Sequence, residues 1–135
     1  MASVIATCRE KGAFAAEIRD QKANDAILAM RKSQNKTFVI SSGTDEAEEG
    51  KWVWASDGQV FYENGQPVER AFTNWAGGSA PAPKISVAEN CLVMPKSGAN
   101  EGKWQDRSCQ GKAVACEAKV VVGIAHYLDD LDDVK

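Results

Sequence analysis

The sequence has little of what most catalytic and metal chemistries require. Histidine occurs once, as His126. No pair of cysteines has the Cys-x-x-Cys spacing of a structural zinc site or a thiol redox motif. Both absences argue against zinc binding and histidine-based catalysis, and Ser41, Ser42 and Ser108 are left without a plausible base. A basic excess is also lacking: 16 Lys and Arg stand against 19 Asp and Glu, a net charge of −3. That balance is opposite to the basic face of a nucleic-acid binder. No apolar run approaches the ~18 residues of a membrane span; the longest, Val120 to Ala125, is of strand length. Met1-Ala2-Ser3 leads into a helical pattern without the regions of a signal peptide. An exported form is therefore expected to be a mature chain. There is no internal repeat and no collagen-like or coiled-coil stalk, so avidity would have to come from elsewhere.

What is present fits one globular domain. A chain of 135 residues with 44% hydrophobic and 26% charged residues can build a single core. Cys8, Cys91, Cys109 and Cys116 are an even set at wide spacing, which is read as two disulfides and an oxidising compartment. Spacing alone leaves all three connectivities open.

The first third is expected to be helical. Val4, Ile5 and Cys8 precede a stop at Gly12, and Asp20 to Ser33 carries Ile27, Leu28 and Met30 among good helix formers. Asn35-Lys36-Thr37, just beyond, is a glycosylation sequon, usable in a secretory pathway. From Phe38 the pattern changes to strands: Phe38 to Ile40, Lys51 to Trp54, Val60 to Tyr62, Cys91 to Met94, Lys103-Trp104 and Ala113 to Cys116. Alternation places Trp52 and Trp54 on one face, expected to be core, and Trp75 and Trp104 are expected there too. An acidic loop spans Gly43 to Gly50, and a long small-residue loop contains Gly77 to Pro83, the kind of loop that is functional or disordered. Helices followed by strands define an α+β domain.

Four segments, taken in order, resemble a C-type lectin-like domain of the collectin and tetranectin type. They are ATCREKGAFAAEIRDQKANDAI at 6–27, GTDEAEEGKWVWASDG at 43–58, FTNW at 72–75 with its Pro-bearing loop, and ENCLV with GKWQDRSCQGKAVACE ending at 117. The resemblance covers about residues 3 to 118. It implies two helices, antiparallel sheets, a long-loop region, and disulfides Cys8–Cys116 and Cys91–Cys109. The family also has a strand ahead of the first helix that pairs with the last strand. Here the tail after Cys116, EAKVVVGIAHYLDDLDDVK, contains a segment similar to that strand. Residues 1–135 are therefore expected to form one domain, with 119–135 supplying the opening strand by circular permutation. The last strand would turn at Val122-Gly123, and Ile124 to Leu128 would return beside it. The competing expectation is an acidic disordered tail over Leu128 to Asp133.

The resemblance also implies where a ligand would sit. Calcium takes six to eight oxygens, and family members that bind sugar hold the ion at the long loop. At those positions this chain offers Ala80-Pro81-Ala82, then Glu89, Gln105 and Asp106. Glu89 and Asp106 keep a carboxylate, Gln105 offers an amide, and Ala80 and Ala82 offer no side-chain oxygen. Shifting the alignment to Ala82-Pro83-Lys84 only brings in a cation. A second family calcium site matches Asp45, Glu49 and Glu89, although Asp45 to Glu49 could equally be a solvated acidic turn. The expected ligand-binding residues are thus Glu89, Gln105 and Asp106, and the expected Ca2+ ligands are Asp45, Glu49, Glu89 and Asp106. The function expected is secreted, non-catalytic recognition of a glycan or protein partner through the long-loop face, with a degraded calcium site. Two alternatives stand beside it, a true calcium-dependent sugar-binding lectin and a ligand-free scaffold, natural or engineered. Neither nucleic acid nor a membrane span enters any of them.

Overall fold

The computed structural model describes residues 1–78, 90–96, 101–109, 113–120 and 123–130. Helix α1 (Ala2–Arg9) buries Val4, Thr7 and Cys8, a stripe at i, i+3, i+4 that fixes which face meets the sheet. The chain then reverses through Gly12 at φ 73°. Helix α2 (Gln21–Ser33) starts where the Asp20 carboxylate accepts the Ala23 amide at 2.8 Å, satisfying one of the unpaired donors of the first turn. Its buried stripe is Asn24, Ile27 and Arg31.

Nine strands follow the helical pattern or are interleaved with it among the described residues. They are β1 (Phe14–Ala15), β2 (Phe38–Thr44), β3 (Trp52–Trp54), β4 (Gln59–Glu63), β5 (Gln66–Pro67), β6 (Cys91–Pro95), β7 (Gln105–Arg107), β8 (Ala113–Val120) and β9 (Gly123–Asp130). Strand β2 is the hub. It pairs parallel with β8 (Ile40 against Val114) and antiparallel with β3 (Gly43 against Trp54) along one edge. It pairs antiparallel with β6 (Val39 against Met94) along the other. Gly43 is required at that crossing, because an added Cβ would lie 2.9 Å from the Leu92 Cβ. β3, β4 and β5 form a meander, β7 lies on β6, and β1 adds to β8.

The tail is part of the sheet. β9 runs antiparallel to β8 from Val120↔Gly123 to Ala113↔Asp130. Successive residues of a strand face opposite sides, and here both sides are used. Tyr127 packs on the cluster around the Cys8–Cys116 bridge, and Leu128 packs on the tryptophan cluster. Asp129 pairs with Lys11 at 2.9 Å and Asp130 with Lys36 at 3.2 Å. Leu128 to Asp130 are therefore strand and not a disordered acidic tail, with Asp130 at its exposed end. Residues 131–133 and the turn at Val122 lie outside the described residues.

Two core clusters share the sheet. One gathers Val4, Cys8, Ile40, Val93, Val114 and Cys116; the other gathers Trp52, Trp54, Phe61, Trp75, Leu92 and Trp104. All four tryptophans are at most 2% exposed, in keeping with the alternation that puts Trp52 and Trp54 on a core face. Trp54 stacks on Phe61 at 4.1 Å, and Trp75 meets Trp104 edge-on at 5.6 Å.

Trp104 does not open a strand, as the pattern Lys103-Trp104 suggests; β7 begins one residue later. Its backbone bonds go to the loop before the long loop instead: its N–H donates to the Asn74 carbonyl at 2.8 Å and its carbonyl accepts from Ala76 at 2.9 Å. Its indole N–H donates to Asn24 Oδ1 at 2.8 Å. Asn24 is 2% exposed and so joins α2 to the loop-bearing half of the domain. Asn24→Ala leaves that indole donor buried and unpaired, which costs about 1–3 kcal/mol. A calorimetric melt should show the loss as a drop of several degrees. An unchanged melting temperature would mean that the indole finds another partner.

Candidate functional site

The first group of candidate residues sits where β2 ends. Thr44 closes that strand and organises the acidic loop beyond it. Its hydroxyl donates to the Asn90 carbonyl at 2.6 Å and accepts from the Glu46 amide at 3.1 Å. The acidic loop is thereby tied to the residue that directly follows Glu89 in sequence. Asp45 then turns inward and is 4% exposed. Its Oδ2 accepts the Gly50 amide at 3.1 Å, while its Oδ1 is buried without a hydrogen-bond partner among the described residues. Glu49, four residues further along the chain, is exposed. Burial, reinforced by the negative charge of Glu49 and opposed by the Gly50 amide, pushes the Asp45 carboxyl up from 3.8 to about 6. A carboxylate taken out of water with an unmatched oxygen is costly.

The second group sits across β6. Leu92 faces Asp106 and Val93 faces Gln105 in the β6–β7 ladder. Asp106 is 7% exposed, and Gln105 Oε1 is buried without a partner among the described residues. Arg107 donates to the Asp106 carbonyl at 2.8 Å and lies 5.8 Å from the centre of the Phe38 ring. Both groups meet at the start of β6, where Cys91 is paired with Thr44 on one side and Arg107 on the other. The Cys91–Cys109 bridge, with its Cα atoms 5.3 Å apart, fastens this corner. The Cys8–Cys116 bridge, at 5.6 Å, ties helix α1 to β8 and lines the same core cluster as Cys91. Both pairings are those the sequence resemblance implies, and both separations are ordinary for a disulfide.

Glu89, Ala80 and Ala82 lie outside the described residues. Among the described residues no group of three His, Cys, Asp or Glu side chains could hold a metal ion. The two positions differ in how well they suit a hard cation. At the Asp45–Glu49 loop, a buried and unmatched carboxylate oxygen next to a second carboxylate has the right chemistry. At the other position, Gln105 and Asp106 lie side by side on β7 and carry side-chain oxygens. Thr44, Asn74 and Asn24 are supporting residues whose roles the sequence reading did not assign, although Asn24 falls in the Asn-Asp pair at the start of α2. The available signal was weak: Asn24 is a polar residue on the same helical stripe as Ile27.

The Ser41 hydroxyl donates to the Leu92 carbonyl at 3.2 Å, and Ser42 is fully buried. His126 lies on β9, paired with Glu117 of β8. Among the described residues no helix is long and apolar enough to cross a membrane.

A family model for the lectin C-type domain matches residues 2–118. Bovine collectin-43 is 30% identical over 114 residues, covering 82% of this chain and 30% of that protein. Bovine tetranectin is 28% identical over 117 residues, covering 84% of this chain and 52% of that protein. The chain thus spans between about a third and a half of these relatives. Among solved structures, TC14, a C-type lectin from the tunicate Polyandrocarpa misakiensis, superposes with a TM-score of 0.62 at 18% identity. That superposition covers 88% of this chain and 89% of the other. The family match ends before β9 begins.

Proposed function

The chain belongs to the C-type lectin domain family, and from that premise we propose that it is an exported, non-catalytic recognition module that binds a glycan or protein through its long-loop face. The observation that carries this is the corner where the acidic loop, β6 and β7 converge. It is braced by a disulfide and by the Thr44–Asn90 bond, yet it holds polar atoms that the described fold does not use, Asp45 Oδ1 and Gln105 Oε1. A corner that rigid, with unmatched acceptors, suits a ligand that brings donors or a cation. Two disulfides support export to an oxidising compartment. Residues 1–135 are taken as one such domain, with β9 occupying the place of the strand that the family sets ahead of its first helix.

Sugar coordination through calcium at the long loop is disfavoured, since Ala80 and Ala82 contribute no oxygen, and ligand binding there is proposed to be calcium-independent. A second cation position is favoured by a specific observation, the buried Asp45 oxygen. Asp45 and Glu49 would hold the ion, with Glu89 from the segment that leads into Asn90; a bound calcium there would neutralise the acidic loop and stiffen the corner.

Melting the oxidised protein in millimolar calcium and in chelator, alongside a glycan array, separates these statements. The expected result is a rise in melting temperature with calcium and ligand binding that persists in chelator. A ligand specific for the folded state stabilises it by about 2.7 kcal/mol at a hundredfold excess over Kd. Binding to glycans only with calcium would instead make the protein a calcium-dependent lectin. Silence on glycan and protein arrays alike would leave an inert scaffold.

Asp45→Asn gives the sharper readout. In chelator the wild-type carboxyl titrates near 6 when folded and near 3.8 when unfolded. Its contribution to stability is therefore full below about pH 4 and is lost as pH rises through about 6, a loss on the order of 2–3 kcal/mol. Asp45→Asn removes that loss. It should raise the melting temperature in chelator at pH 7 and abolish the response to calcium. A variant that still gains stability from calcium would place the ion elsewhere.

A further inference from the structure

We infer that Asn35 is a site of N-linked glycosylation, placed at the end of β2 opposite the acidic loop that follows Thr44. Asn35-Lys36-Thr37 is the one sequon in the sequence, and it occupies a turn well suited to carry a large substituent. Helix α2 has ended at Ser33, and Asn35 takes a left-handed conformation at φ 50°. The Asn35 amide donates to the Lys32 carbonyl at 3.1 Å and the Lys36 amide to the Arg31 carbonyl at 3.0 Å. Asn35 and Thr37 are both exposed. Neighbouring side chains are arranged around the site rather than across it. Lys36 is drawn away to Asp130 at 3.2 Å, and Lys96 donates to Asn35 Oδ1 at 2.7 Å. That bond holds the carbonyl side of the Asn35 amide and leaves Nδ2, the atom a sugar would occupy, on the other side.

Position in the fold adds a functional reason. Strand β2 begins at Phe38, just after the sequon, and ends at Thr44, beside the acidic loop. Seven residues of strand separate the two ends by about 20 Å. A glycan on Asn35 would therefore leave the corner at Thr44 and the acidic loop open, while covering a polar surface near the end of β9.

The reaction is a transfer from a lipid diphosphate-linked oligosaccharide. The Asn35 Nδ2 bonds to C1 of the sugar as the bond from C1 to the diphosphate oxygen breaks. The lipid diphosphate leaves with the electron pair, and the amide releases one proton.

Glycosylation of this chain in its natural setting rests on the proposed export, so the test scores the two separately. The full chain, placed behind a cleavable leader, is translated in the presence of translocating microsomes. Lumenal product is analysed for disulfides without reduction, and for glycan with peptide N-glycosidase F. The expected product is disulfide-bonded and of increased mass, the increase removed by the glycosidase with conversion of residue 35 to an aspartate. Asn35→Gln and Thr37→Ala should both abolish the increase; Thr37→Ala should leave the melting temperature unchanged, while Asn35→Gln should lower it slightly because glutamine is less tolerant of the left-handed turn. An oxidised product of unmodified mass overturns the inference while leaving export intact. A glycosylated but reduced product upholds the site and counts against export. A mass increase that persists in Thr37→Ala also overturns the inference, because the sequon would then not be its cause.

Discussion

Replacing Cys8 and Cys116 together by alanine is expected to lower the melting temperature by about 15–20 °C, and replacing Cys91 and Cys109 by about 10–15 °C. The difference follows from loop length. The first bridge spans 108 residues of sequence and the second 18. In the chain-entropy account, closing a loop of about 100 residues is worth about 4.7 kcal/mol and one of about 15 residues about 3 kcal/mol. Set against the roughly 5–15 kcal/mol typical of a whole domain, the longer bridge is a large share of stability. Its removal also strikes a packed region, since Cys8 and Cys116 are fully buried among Val4, Ile40 and Val114. Alanine is preferred to serine in the test because a buried hydroxyl would add a desolvation cost of its own. Calorimetry of the two double variants checks the order. If the short bridge proves the more valuable, its role is to hold the corner at β6 in the native state, and loop entropy is not the governing term.

These bridges also mark where sequence was informative. Wide, even cysteine spacing announced two disulfides, and only the resemblance to a C-type lectin domain implied their pairing. The Trp52–Trp54 alternation and the Asp20 start of α2 were legible because each follows from local geometry, a period of two or a single capping bond. The interior of the helix stripe was less so. The burial of Asn24 and Arg31, both 2% exposed, was not expected from the sequence, because each meets a partner far away in sequence. Asn24 receives the Trp104 indole, and Arg31 pairs with Glu101 at 2.9 Å. The same blindness affects the site. Four acids in 45–49 look like a solvated turn, and nothing local says that Asp45 alone turns inward. Its burial goes with Gly50 folding back on it and with Thr44 reaching Asn90, a contact 46 residues away in sequence. Glu89 and the small-residue loop lie outside the described residues, so the long-loop half of the site rests on sequence.

Removing residues 121–135 is expected to destabilise the domain on the order of 3–5 kcal/mol, although the whole family match lies before the cut. The reason is what β9 covers. It satisfies one full edge of β8 along eight paired residues, and an exposed edge of that length invites pairing between molecules. It also places Tyr127 on the disulfide cluster, Leu128 on the tryptophan cluster, and two aspartates against Lys11 and Lys36. The surface ion pairs contribute little; the burial and the ladder contribute most. The shortened chain should melt early and aggregate as it does so. Transferring residues 123–130 to a position ahead of Met1 through a short linker tests what the strand needs. If the family places this strand before its first helix, the sheet requires the strand itself and not its order in the chain, and the transferred version should recover most of the lost stability. Recovery would support a circularly permuted domain. A transferred strand that restores nothing would show that β9 works only as the second arm of a hairpin with β8. A truncated chain that melts like the full one would reduce β9 to an appendage.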